Sequence, residues 1–361
     1  MNELRLRQKI YRLYHQSGRC GKAAVRGGLR AFYCLLHQRL SLNYDLTGAI
    51  VRFRPGASDA EKASLKRQMR RDCARYLANP EEFFLYHFDE ISERKKSTFL
   101  TYDRRGTYTL LLNEPETARF LTDKGKTFDY FGKYYGRDLL RVTKTTKDET
   151  VLDFINERKR VIVKAADGSM GKGIKLLNRS DFDSPQAMLA AVRRCGPCVV
   201  EDVLQAEATM SALHPQSLNT VRTPVFLERD GSVRVFHPCL RVGRGDSVVD
   251  NAGSGGVFAN IDAVSGVVIT DAVDEYGRTY QTHPDTGFRF KGMQIPKWDE
   301  LLSLARELAL VLPSVRFIGF DLALTENGWV MVEGNRNPQP IQQMVDQVGL
   351  RAEFDEMLKR L

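Results

Sequence analysis

The spacing of apolar positions divides the chain into a helical first quarter and a strand-rich remainder. Apolar residues recur every three or four positions over 4–14, 22–39 and 59–77, which predicts three amphipathic helices. Ser58 and Asp59 are placed to cap the third, and Asn79-Pro80 ends the pattern. Residues 86–158 give short mixed elements, with a strand expected at 108–112 and a helix over 123–135.

From Arg160 the period shortens to two. Residues 161–163 form an apolar strand that ends on Lys164 and runs into a glycine-rich turn, 167–173. Residues 174–177 resume as a strand, so the two read as a hairpin around that loop. A helix over 184–194 and a strand over 198–201 complete a small α+β unit. Further strands are expected at 221–227, 233–242 and 267–270. A long helix over 297–312 leads to a closing pair of strands, 319–324 and 329–333, joined by the turn 325–328.

Composition bounds this picture. A chain of 361 residues exceeds what one core usually organises. Boundaries are expected that leave a basic helical extension at 1–85, an intermediate domain at 86–158, two α+β units at 159–206 and 207–345, and a terminal helix at 346–361. Apolar residues make up 42% and charged residues 27%, which reads as soluble and globular. There is no run of about 18 apolar residues to suggest a membrane-spanning helix. No apolar stretch of signal-peptide length follows the basic amino terminus, so the expected compartment is the cytoplasm.

The net charge of +9 is uneven: residues 1–75 hold 17 Lys and Arg against 5 Asp and Glu, and the rest holds 37 against 40. The basic segment can dock on an anionic membrane surface or be a solvated helical face. Nucleic acid is not expected, because no recognised binding motif accompanies the charge. Among the six cysteines only Cys195 and Cys198, around Gly196-Pro197, are spaced suggestively. Redox chemistry wants the first cysteine at a helix start after a strand, whereas here a strand follows. No second pair completes a zinc site.

Three features carry chemistry. In the loop, Gly168, Ser169, Gly171, Lys172 and Gly173 let backbone N–H groups approach phosphate oxygens, and Lys164 projects a positive charge toward them. The spacing is not that of a P-loop, and a strand rather than a helix follows, which excludes a dinucleotide fingerprint. Second, the strand from Cys198 reaches a domain edge where its backbone can meet an adenine, with Glu201 suited to the exocyclic amine. Third, Asp321 and Glu333 can face the same way on neighbouring strands, with Asn335 two residues beyond. Three hard oxygen donors suit Mg²⁺ bridging nucleotide phosphates. Asp321 lies in an apolar run, where an unpaired carboxylate would be costly.

These features, in this order, resemble the ATP-grasp superfamily, which includes D-alanine–D-alanine ligase and glutathione synthetase. The segments 217–222, 240–243, 249–256, 283–287 and 292–298 narrow the resemblance to the sugar-transfer-associated ATP-grasp family, found with surface-polysaccharide synthesis. The resemblance covers residues 110–345 and stops short of the basic helices. It implies an α+β fold of two subdomains clasping ATP, with 159–206 as the lid, 207–345 as the larger half and ATP and Mg²⁺ as cofactors. It places Lys164, Lys124 and the loop on the phosphates. Glu201, Val203 and Leu204 would meet the adenine, with Glu207 the nearest acid for the ribose. Arg222 and Arg241 would face the cleft, and Asn251, after Asp250 and with Gly255 and Gly256, would belong to a second loop near the γ-phosphate. Asp321, Glu333 and Asn335 match the family's metal ligands. His283 and Asp285 open and continue a family motif and join the substrate candidates, as does Arg336. The run Arg336-Asn337-Pro338 departs from the small residues many ligases show there.

The expected activity is a carboxylate ligase with an acylphosphate intermediate, acting on a small or lipid-linked sugar- or amino-acid-derived acid. No protein nucleophile is required, and no Ser/His/Asp or Cys/His constellation is readable. The alternatives are a small-molecule kinase on the same fold and a non-catalytic module that binds a membrane or polyanion through residues 1–75.

Overall fold

Capping chemistry sets the helical part of the computed structural model, which describes residues 3–41, 44–166, 168, 173–250 and 255–361. Ser58 accepts from the backbone of Glu61, and the Glu61 carboxylate accepts from Ser58 N at 2.7 Å, which starts the helix Asp59–Tyr76. Asn79 and Glu82 repeat the device with Pro80 at the first helical position, so the residues that end one helix begin the next, Pro80–Leu85. The basic helices Glu3–Gln16 and Arg19–Ser41 bury Tyr14 and Leu29 in a cluster with Leu111, Phe317 and Phe354. They therefore share a core with strands and with the last helix, Arg351–Lys359.

The run 108–112, expected as a strand, is instead the second half of the helix Tyr102–Leu112. Leu110, Leu111 and Leu112 are all buried, and a short apolar run buried on every side has no readable period. Among the described residues no helix is long and apolar enough to cross a membrane.

The strands, in chain order, are β1 (Leu139–Val142), β2 (Arg160–Ala165), β3 (Lys175–Asn178), β4 (Cys198–Asp202), β5 (Thr220–Leu227), β6 (Val233–Val235), β7 (Cys239–Val242), β8 (Val257–Asn260), β9 (Ala272–Asp274), β10 (Thr279–Tyr280), β11 (Phe317–Thr325) and β12 (Gly328–Asn335). They form two antiparallel sheets. The smaller has the order β1-β4-β2-β3, and the larger runs β10-β9-β8-β7-β5-β11-β12 with β6 beside β5. In the smaller sheet Val161, Val163, Cys198 and Val200 pack against Val151, Ile155, Met188 and Val192 of two covering helices, Asp148–Asn156 and Pro185–Arg193. The two-residue period then sends Ile162 and Lys164 to the opposite face, toward the larger sheet.

Two strand expectations change. The segment 233–242 is broken into β6 and β7 at His237, whose φ is +46°, and Pro238, which has no N–H to offer a ladder. Residues 267–270 make only isolated bridges, Val267 to Gln294 and Val268 to Ile261. Strands β1, β8, β9 and β10 arise where none was expected.

Candidate active site

A diagonal of charge crosses the larger sheet. Asp321 on β11 is in register with Glu333 on β12 and with Arg222 on β5. Arg241 on β7 is in register with Thr220, two residues before Arg222, and so points to the same face. Asp321 is only 4% exposed, and its carboxylate accepts from Arg222 Nε, from Arg222 Nη2 at 3.0 Å and from Arg241 Nη1 at 2.8 Å. Arg241 also pairs with Asp250 at 3.2 Å, and Asp250 accepts from the Thr220 hydroxyl. Burial pushes the Asp321 carboxyl up, but the two arginines outweigh it and hold it below the ordinary carboxylate range.

Glu333 is treated differently. Among the described residues its carboxylate has no hydrogen-bond or ion-pair partner. Burial and the neighbouring Asp321 charge both push its pKa up, with Lys124 and Arg222 opposing. Two residues on, Asn335 has its amide Nδ2 buried without a partner. Asp321 still has about one of a carboxylate's four lone-pair sites free. The unpaired Glu333 carboxylate, the Asn335 Oδ1, which accepts no hydrogen bond among the described residues, and the Asp321 carboxylate are a hard-oxygen set that fits Mg²⁺, whereas the buried Nδ2 is a donor and cannot ligate a cation.

A second cluster lies across the cleft on the smaller sheet. Lys164 Nζ donates to Glu201 at 2.9 Å, and Arg137 Nε donates to the same carboxylate oxygen at 2.8 Å. Burial pushes the Glu201 carboxyl up, yet Lys164 and Arg137 outweigh it and hold it down at about 2. Glu201, expected beside an adenine amine, is thus committed to two cations, and Lys164 is aimed by it. Lys124 opens the helix Lys124–Phe131 behind the cap Asp123, and its ammonium donates to Gly168 O. That contact ties the start of the glycine loop to the helix.

A cavity of about 820 Å³ joins the two clusters. Lys124, Lys164, Gly168, Val203 and Leu204 line it from the side of the smaller sheet, and Arg222, Arg241, Asp250, Asp321, Glu333 and Asn335 from the other. Arg336 and Glu201 line an adjoining recess of about 260 Å³ with Lys164 and Glu333. Ser169, Gly171, Lys172 and Asn251 lie outside the described residues. Gly173, Gly255 and Gly256 are not among the lining residues. Glu207 is also turned elsewhere: it caps the short helix Ala208–Ser211, accepting from Thr209 N at 2.8 Å. His283 is buried, with Nε2 donating to Gly243 O at 2.7 Å and Nδ1 accepting from Asp285 N at 3.3 Å. Asp285 accepts from Gly245 N at 2.6 Å, so the 283–287 motif braces the loop after β7.

Arg137 has no counterpart among the sequence-based candidates. It donates to Met331 O at 2.9 Å and Val332 O at 3.3 Å as well as to Glu201, and so joins the two sheets. The residue before it, Gly136, has φ +57° and is packed against Val330, which leaves no room for a side chain. A lone Gly-Arg in sequence gives no sign of this bridge.

A profile described as sugar-transfer associated ATP-grasp matches residues 103–359. No curated protein matches the sequence. Among solved structures, D-alanyl-alanine synthetase A from Vibrio cholerae is 13% identical over 71% of this chain and 70% of its own, with a TM-score of 0.43. The ATP-grasp ligase PsnB, complexed with a minimal precursor, is 13% identical over 72% and 69%, with a TM-score of 0.41. N5-carboxyaminoimidazole synthetase from Staphylococcus aureus, complexed with ADP, is 12% identical over 65% of this chain and 52% of its own, with a TM-score of 0.39. The chain spans about half the length of the N5-carboxyaminoimidazole synthetases it matches. With the family match extending from the helix Tyr102–Leu112 to the last helix, the chain belongs to the sugar-transfer associated ATP-grasp family and has the ATP-grasp fold.

Proposed function

We propose that this protein is an Mg·ATP-dependent carboxylate ligase. The γ-phosphate of ATP passes to a substrate carboxylate, and an amine or another nucleophile opens the acylphosphate and releases phosphate. The observation that carries this reading is the opposition across one cavity of two lysines, Lys124 and Lys164, to the acids Asp321 and Glu333 with Asn335. Phosphoryl transfer needs positioning and charge neutralisation rather than a protein nucleophile, and the lining supplies those.

In this reading Lys124, Lys164 and the loop 168–173 hold the phosphates. Val203 and Leu204 face the adenine, and Glu201 with Arg137 fixes where the Lys164 ammonium stands. Glu333, Asn335 and the remaining lone pair of Asp321 would hold Mg²⁺, which when bound neutralises phosphate charge. Arg222 and Arg241 keep Asp321 ionised and correctly aimed and place guanidinium N–H donors beside the reacting phosphate. The family's association with sugar transfer supports a sugar- or amino-acid-derived acid in surface-polysaccharide synthesis. Docking of residues 1–75 on an anionic membrane belongs to the same proposal and is supported by their excess of 17 basic over 5 acidic residues.

The test is mass spectrometry of products formed from Mg·ATP with a panel of acids and amines. The expected products are ADP, phosphate and an amide-like conjugate. ADP with a phosphate ester instead would make the protein a kinase, and intact ATP across a broad panel would sink both readings.

A further inference from the structure

At about 820 Å³ the cavity lies high in the range of small-molecule sites, about 300–1,000 Å³. Its lining continues past Arg222 onto the amino-terminal helices, where Arg52, Asn79, Glu81 and Leu85 all precede the family-matched region. Arg105, from the first turn of the helix Tyr102–Leu112, lines this end too.

Among the described residues two buried arginines line this cavity, Arg105 and Arg241, and of the two Arg105 lacks a carboxylate. Arg137, Arg222 and Arg241 each hold a carboxylate. The Arg105 side chain belongs to a residue only 6% exposed, its Nε is buried without a partner, and no hydrogen bond or ion pair engages its guanidinium among the described residues. The nearest compensation is indirect. Its Cζ lies 5.2 Å from the Tyr102 ring centroid. The Glu82 carboxylate attracts it without bonding to it, while Glu82 Oε2 accepts from Asn79 N and Tyr102 N, each at 3.0 Å. Arg222 repels it, which places the two guanidinium groups within electrostatic reach.

The backbone carrying Arg105 is held at both ends. Glu82 fixes the helix start through Tyr102 N, and one turn beyond Arg105 the Thr109 hydroxyl donates to Asn337 Oδ1 at 3.2 Å. A buried cation held this firmly, with no group bonded to its guanidinium, is costly unless an oxyanion arrives to engage it. Guanidinium presents a planar fork that pairs with carboxylate or phosphate oxygens.

We propose that Arg105 is the anion-recognising residue for the non-nucleotide substrate, so that this substrate carries a carboxylate or phosphate oxyanion seated on a wall that the amino-terminal helices complete. The acids Glu81 and Glu275 line the same cavity and disfavour an anion placed away from Arg105 and the more exposed Arg52. The proposal rests on the cavity being the substrate site of the proposed ligase, and the experiment reads the two separately.

Full-length protein, Arg105→Met and Arg105→Lys are titrated calorimetrically with inorganic phosphate and with malonate, each with and without saturating Mg·ADP. Wild type is expected to bind at least one probe in both conditions. A preference for phosphate assigns a phosphate ester, and a preference for malonate assigns a carboxylate. In Arg105→Met the probe's affinity falls tenfold or more, Arg105→Lys keeps part of it, and the affinity for Mg·ADP changes less than twofold. The apo melting temperature of Arg105→Met stays level or rises, since an uncompensated buried charge has been removed. Equal probe binding by wild type and Arg105→Met overturns the proposal, including the case of phosphate held at the lysines. So does absence of probe binding by wild type, or a melting temperature that falls in Arg105→Met and recovers in Arg105→Lys. Failure of wild type to bind Mg·ADP would sink the ligase reading alone, because the titrations without nucleotide still decide Arg105.

Discussion

Glu201 and Glu333 line the same recess from opposite sheets, and the protein treats their charges in opposite ways. Glu201 receives two cations, Lys164 and Arg137, and its carboxyl is held at about 2. Glu333 faces Asp321, whose charge the arginines have already taken, and receives no partner among the described residues. A carboxylate that bonds two cations, as Glu201 does, serves to position them. One left without compensation, on rigid strands inside a cleft, is kept for something that arrives later. Arg105 follows the second pattern with the opposite sign.

The contrast breaks most sharply at Glu201. Glu201→Gln leaves two buried cations short of their counter-charge and is expected to lower stability by about 3–5 kcal/mol at pH 7, measured by urea unfolding. The sign with pH follows from a folded-state pKa depressed from the ordinary 4.5 to about 2. The stabilisation is fully present above 4.5 and is lost as pH falls toward 2, so the gap between wild type and Glu201→Gln should close over that window. A gap unchanged at pH 3 would mean the ion cluster contributes nothing.

The same substitution at Glu333 should act on function instead. Glu333→Gln is expected to slow ATP turnover by about 100-fold, the usual cost of removing one preorganised electrostatic group. Near-normal ADP release from both Glu333→Gln and Asp321→Asn would remove the metal assignment. Chelation sharpens the point: EDTA should weaken ATP binding to wild type by roughly tenfold, in the range of a lost charge-assisted contact, and change Glu333→Gln far less. Equal sensitivity in the two proteins would place the cation elsewhere.

The smallest effect is the most discriminating. Because burial and Asp321 raise the Glu333 pKa in the ligand-free fold, ionised Glu333 costs stability above its folded pKa, and that cost fades as pH falls through it. Glu333→Gln should therefore raise the apo melting temperature at pH 7 by roughly 1–3 °C. A decrease would show that Glu333 is a stabilising charge like Glu201.

Much of this was legible in sequence. Ser58 and Asn79-Pro80 marked helix ends because caps act over three or four residues. Lys164 could be placed at a strand end before a glycine loop, and Asp321, Glu333 and Asn335 could be grouped, because alternation along a strand is local. Arg137 could not be found, since its partners lie 64 and 194 residues away, and neither could the pairing of Arg241 with Asp250 across a loop. Glu207 and His283 looked available in sequence because nothing local shows that a backbone N–H or carbonyl will claim their side chains.

The sequence by itself determined which residue types meet: a lysine before a glycine hairpin, and two acids and an amide on a closing pair of strands. It did not determine that the acids face one another. The β11–β12 hairpin begins with Thr325 opposite Gly328 and holds that register through Leu322 opposite Met331, which extended regularly would set Asp321 against Val332. A bulge at this point shifts the pairing by one residue and brings Glu333 opposite Asp321. Arg137 donates to the carbonyls of Met331 and Val332 at that bulge. One added residue turns every later side chain on a strand to the other face, and here the contacts around the bulge come from segments far away in the chain.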